Sequence, residues 1–187
     1  MTDRIVSGKT TTNTFCYMYM GAKHMLQLAG ESEHGQLYNI ISCITYCAFT
    51  LEAYFNHLGS ERNSDWKKIE RKIPKSEKYK LFCQALNIEY NLSNRPYKTM
   101  AEVFSYRDQM AHGKTTVEKI DKAIDGDFDD LKSFDVGPDW KTYSTIEQAR
   151  MAVSDTKDII QELHTAAGFT NDPFLSSGGG VYRIRTS

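Results

Sequence analysis

Arg107 and His112 are the residues of this chain best suited to do chemistry. They stand five positions apart in Tyr106-Arg107-Asp108-Gln109-Met110-Ala111-His112-Gly113. An arginine presents a fixed, permanently charged fork that fits phosphate oxygens. A histidine gives or takes a proton near pH 7. Cleaving RNA without a metal ion requires both services: charge held at phosphorus, and protons moved on and off oxygen. The spacing alone is common in a chain with 5 histidines, so placement gives the pair its weight.

Placement follows from periodicity. Between Tyr97 and His112, the residues Met100, Phe104, Arg107 and Ala111 fall on one helical stripe, flanked by Val103 and Met110. Arg107 thus lies within an apolar stripe, where a guanidinium needs a carboxylate, a ligand phosphate or a wet cleft. His112 lies about 140° further round the helix, close in angle to Asp108. Gly113 marks the C-terminal stop and Pro96 lies near the start, where proline is tolerated. Arg107 and His112 therefore project from neighbouring sides of a helix end. They face one ligand only if a second surface closes over that end.

Helical patterns dominate the rest of the chain. Phe15, Met18, Tyr19, Ala22, Met25, Leu26 and Ala29 form a stripe ending at Gly30. After Gly35, a line of Ile40, Ile44, Cys47, Leu51, Phe55 and Leu58 runs to Gly59, widened by Ile41, Ala48 and Phe49. That helix is expected at the centre. Asp65 is placed to cap a short helix through Lys72, and Glu77 to Asn87 reads as another. A last long helix carries Ile146, Ala149, Val153, Ile160, Leu163 and Ala167, with Gly168 as its stop. No convincing strand is visible; Val181 to Arg185 alternates but is short and terminal. The expected fold is all-α, an up-and-down bundle of four long helices with short helices between the second and third. Residues 1–11 read as a flexible N-terminus, 12–168 as the helical domain and 169–187 as a flexible tail.

Composition bounds the partners. The net charge is −1, so any nucleic-acid binding needs a local basic patch. One candidate patch is Trp66-Lys67-Lys68-Ile69-Glu70-Arg71-Lys72, continuing through Lys75, Lys78 and Lys80. Lys67, Lys68, Arg71 and Lys72 could follow an RNA backbone, with Trp66 or Tyr79 stacking on a base. A solvated helix face explains the same lysines. Cys16, Cys43, Cys47 and Cys83 form no Cys-x-x-Cys pair and read as reduced core residues of a cytoplasmic protein. No secretory signal or membrane-spanning run is visible. The stretch from 115 to 144 is an acidic insert. Its Asp125-x-Asp127-x-Asp129 fails as a calcium loop, because Asp130 and Val136 stand where glycine and glutamate belong. No metal and no cofactor is expected.

The Arg-polar-x3-His segment at the end of a third long helix resembles the HEPN superfamily. A second segment, Thr50-Leu51-Glu52-Ala53-Tyr54-Phe55, matches an acidic residue in an apolar setting that such proteins often carry. The resemblance spans about 12 to 168. It implies a metal-independent endoribonuclease acting as a homodimer, with two Arg/His helices meeting across a two-fold axis. That partner would supply the missing second surface. Many such proteins are toxins or phage-defence components with an antitoxin or partner protein; others have lost catalysis and bind nucleotide, RNA or protein. One subset carries a tyrosine two residues after the histidine; here that residue is Lys114. The implied roles are His112 as acid or base, Arg107 on the phosphate, Asp108 orienting either, and Glu52 fixing Arg107. An unrelated helical bundle with an accidental Arg-x4-His is the remaining reading.

Overall fold

The computed structural model describes residues 4–117, 119 and 137–186. Its helices are α1 (Thr14–Glu31), α2 (Gln36–Arg62), α3 (Trp66–Ile69), α4 (Lys75–Leu86), α5 (Tyr97–His112), α6 (Asp139–Tyr143) and α7 (Ile146–Ala166). The fold is mainly helical, and the long helices arise where apolar residues recur at three- and four-residue steps. In α2 these are Ile40, Cys43, Ile44, Cys47, Leu51, Tyr54, Phe55 and Leu58, all buried. In α7 they are Ala149, Ala152, Val153, Ile159, Ile160 and Leu163. Thr145 caps α7 by accepting a hydrogen bond from the Gln148 N–H at 3.2 Å.

Helix α2 packs against α1, α5 and α7, and α7 also meets α1 and α5. The fully buried Leu51, Leu58, Ile160 and Leu163 each contribute roughly 1.5–3 kcal/mol to this core. One charged tie crosses it. Asp155 on α7 accepts hydrogen bonds from Arg95 Nε and Nη2 at 2.7 Å each and from Thr99 Oγ1 at 2.5 Å. This fixes the start of α5, and hence the direction in which its far end points. All four cysteines are free and buried.

The termini differ from the flexible ends expected. Arg4–Thr12 is a strand, β1, and Gly178–Thr186 is a second, β2. They pair antiparallel from Arg4↔Thr186 to Thr12↔Gly178. The segment before β2 is anchored as well. Phe174 stacks on Tyr19 at 4.1 Å and Phe169 on His164 at 4.6 Å. The Asn13 N–H donates to the Ser177 carbonyl at 2.8 Å. Nothing local announces this pairing, because its two strands are separated by the whole helical core.

Two glycine stops are also corrected. Helix α1 runs past Gly30 to Glu31, and α2 runs past Gly59 to Arg62. Gly59 serves packing instead: a Cβ there would lie 2.1 Å from the Trp66 indole. Asp65 makes no side-chain cap; it pairs with Lys68 at 2.7 Å, and α3 ends at Ile69. Asp121 to Asp135 of the acidic insert, including the Asp125–Asp129 pattern, lie outside the described residues. The insert's last part is helical, as α6, in keeping with a partly helical acidic excursion, and it is tied to the core: Ser144 is buried and shares a 2.6 Å hydrogen bond with the Tyr106 hydroxyl.

Candidate functional site

Arg107 leaves the last turns of α5 at the edge of the core, with its side chain 17% exposed. The apolar stripe that carries it packs on α2, and α2 supplies its partner. Arg107 Nη2 pairs with the Glu52 carboxylate, and Nη1 donates to Asp108 Oδ1 at 2.8 Å. The Phe49 ring lies under the guanidinium, 5.5 Å from its carbon. Arg107 Nε is buried and has no hydrogen-bond partner among the described residues. A guanidinium held in this way loses little freedom when it meets a ligand.

Asp108 extends the array. Its Oδ1 also accepts from Lys75 Nζ at 2.8 Å, so Glu52, Arg107, Asp108 and Lys75 alternate in sign across α2, α5 and α4. Burial raises the Asp108 pKa, but the Lys75 hydrogen bond and the charges of Lys75, Arg107 and His112 outweigh it and hold the carboxyl below its usual range. His112 is exposed at the helix end. It shares an open groove with Asp108, Gln109, Lys114, Pro138 and Trp140. The structure thus brings Arg107, Asp108 and Glu52 into direct contact and sets His112 beside Asp108. It shows no hydrogen bond between His112 and Arg107 among the described residues, in keeping with their separation of about 140° round the helix.

The basic turn divides. Lys67, Lys68, Arg71 and Lys72 are exposed, and Lys68 is engaged by Asp65. Trp66 and Tyr79 are not available to stack on a base. Trp66 is 4% exposed and Tyr79 is fully buried. Both faced lysines in sequence, but their rings fill the space between α2 and α4, near Phe82 and Phe55 respectively. The lysines that line the site are instead Lys75 and Lys78. With Glu52, Asn56 and Arg71 they border a hollow at the start of α4.

Lys78 is 4% exposed. Its ammonium donates to Asn56 Oδ1 at 2.7 Å and lies over the Trp66 ring. Burial pushes its pKa down, against the charges of Glu52 and Glu70 and aided by Lys75. A base whose folded pKa is lowered adds stability only above its unfolded value, and loses it as pH falls through the folded value. At neutral pH, protonated Lys78 therefore opposes folding. Lys78→Met is expected to stabilise the protein by about 1 kcal/mol, raising its thermal midpoint by a few degrees. A lowered midpoint would refute that cost.

Two further histidines, without ligand-like spacing in the sequence, flank Tyr54. Tyr54 Oη and His164 Nδ1 lie 3.1 Å apart in the core, and His164 Nε2 has no hydrogen-bond partner among the described residues. His57 packs against Phe15 and Tyr54, at 5.1 Å and 5.9 Å between ring centres. Burial lowers its pKa below 6.5, opposed by Glu61 and aided by His164. Its contribution is present above pH 6.5 and drains away as pH falls through the folded value. Urea midpoints should drop between pH 7.5 and 5.5 in the wild type and drop less in His57→Gln. Equal drops would place the titration elsewhere.

No protein-family model, curated protein or solved structure matches this chain. The function therefore has to be read from the site. Among the described residues, no three His, Cys, Asp or Glu side chains converge as a metal site, and no helix is long and apolar enough to cross a membrane.

Proposed function

We propose that this chain is a metal-independent endoribonuclease of HEPN type, a homodimer joined through α5. It would serve as a cytoplasmic toxin or phage-defence component with an antitoxin or partner protein. The observation that carries this reading is the charged array at the end of α5. A half-buried guanidinium is oriented by Glu52, and Asp108 links it to the groove that holds His112. In the dimer, one His112 takes the proton of the RNA 2′-hydroxyl as its oxygen attacks phosphorus. The bond to the 5′-oxygen breaks, and the second His112 delivers a proton to that leaving oxygen. The products are a 2′,3′-cyclic phosphate and a free 5′-hydroxyl. Charge on the phosphorane is met by the paired Arg107 groups. DNA has no 2′-hydroxyl and is not cut.

One observation favours a second reading, a non-catalytic HEPN module that binds nucleotide, RNA or a protein partner. Both Arg107 Nη atoms are already engaged by carboxylates. The discriminating experiment incubates mixed RNA with the protein in EDTA and reads the product ends. Cyclic-phosphate ends support the nuclease; intact RNA turns the reading to the binding module.

A further inference from the structure

We infer that the β1–β2 ribbon is a binding arm for the phosphate backbone of an RNA strand. This inference rests on RNA being the ligand of the α5 site, but not on cleavage there. Every residue of β1 is exposed, as are Val181 to Arg185 of β2. At about 3.3 Å per residue, the ribbon is roughly 30 Å long. The register assigns its faces. Residues directly opposite each other in an antiparallel pair share a face, and faces alternate along each strand. Ile5↔Arg185, Ser7↔Arg183 and Lys9↔Val181 therefore place Lys9, Arg183 and Arg185 on one side.

The charge is one-sided in sign as well. In a chain of net charge −1, the two strands contain Arg4, Lys9, Arg183 and Arg185 and no acidic residue. None of the four is ion-paired among the described residues. Like charges crowded on one face of a pair of strands destabilise it, and a lone two-stranded ribbon is marginal in water to begin with. An anionic ligand relieves the first cost and orders the second. Guanidiniums select phosphate among anions because their forked donors match its oxygens.

A long flexible polyanion fits better than a lipid surface because the basic track continues off the ribbon. Thr12, at the ribbon's base, borders a hollow with Asn56, His57 and Lys67. The next hollow shares Asn56 and Glu70 with it, and carries Arg71 and Lys75 beside Glu52. Lys75 in turn holds Asp108 beside Arg107. The opposite face of the ribbon adds a stacking surface. The Tyr182 ring lies across Gly8 and Gly180, where a Cβ would come within 2.9 Å and 2.7 Å of it, and the residue is 62% exposed. A base can rest on such a ring without regard to sequence.

The test measures binding of the full chain to a single-stranded 2′-O-methyl oligonucleotide. That strand lacks the nucleophile and survives whether or not the protein is a nuclease. Replacing Lys9, Arg183 and Arg185 together by Gln should weaken binding at least about tenfold at 0.1 M salt. It should also flatten the slope of log K against log salt by about 2, the value for three phosphate contacts on a single strand. Lys23→Gln with Lys157→Gln, also exposed lysines but on α1 and α7, should change neither. If the triple variant unfolds, Arg183→Gln and Arg185→Gln singly should each flatten the slope by about 0.7. Unchanged affinity and slope would overturn the arm. So would variants that lose only binding to anionic phospholipid vesicles, or only self-association. Loss of oligonucleotide binding in the triple variant, with no cleavage of RNA in EDTA by the wild type, would uphold the arm and reject the nuclease.

Discussion

His112→Ala is expected to slow RNA cleavage by roughly 100- to 10,000-fold, the usual worth of a positioned acid or base. Arg107→Ala should cost a comparable factor, on the order of 100 to 1,000, because in the proposed mechanism charge at the phosphorane would lose a forked donor on each protomer. Arg107→Lys should not recover the rate, since a point charge cannot replace two parallel N–H bonds. Glu52 separates orientation from chemistry. It touches Arg107 and is a positioning residue, so Glu52→Gln should lower the rate less than Arg107→Ala. The double variant should be no worse than Arg107→Ala alone, because the two act as one unit. Single-turnover cleavage in EDTA, with thermal melts to confirm folding, measures all five. A His112→Ala enzyme that is folded and fully active would end the acid–base role.

Gly59→Ala should destabilise the protein by about 3 kcal/mol, which for a chain of this size is a fall of roughly 10 °C in thermal midpoint. The sign is the informative part. In an exposed helix interior, alanine is better than glycine by up to about 1 kcal/mol. Here the added methyl meets the Trp66 ring at 2.1, 2.3 and 2.5 Å, so the indole must leave its place. Trp66 is buried and lies over α2, holding α3 down. Losing its packing costs what a large-to-small core change costs, about 3–5 kcal/mol, less the gain in helix propensity. The basic turn that follows Trp66 would be loosened with it. A stabilised Gly59→Ala would show that the indole can shift cheaply.

The helices were legible because each repeats an apolar step that needs no partner to be recognised. The start of α5 fell beside Pro96, and that of α7 at Ile146, the first residue of its apolar stripe. The glycine stops of α1 and α2 were less reliable, because Gly59 is a clearance for a ring and Gly30 lies one residue inside its helix. The contact between Glu52 and Arg107 was legible in part: periodicity put Arg107 within an apolar stripe, and the resemblance suggested Glu52 as its partner. The ribbon was not. Its strands have no joining turn, lie at opposite ends of the chain, and expose both faces, so neither turn chemistry nor burial marks them. Lys78 misled for a similar reason. A lysine in a basic run reads as solvated, and only the packing of α4 on α2 and α3 reveals that its ammonium is held by Asn56 over the Trp66 ring.

The alternating row of Glu52, Arg107, Asp108 and Lys75 sums to zero charge. Its most open member is Asp108, with 46% of the side chain exposed against 17% for Arg107. A phosphate arriving at Arg107 would find that place already held by an anion of the protein's own. On the proposed reading, entry would be an exchange: the incoming phosphate takes Arg107, and the displaced carboxylate keeps Lys75. Asp108 would in this way be a doorkeeper, setting how strong a competitor must be before the site opens.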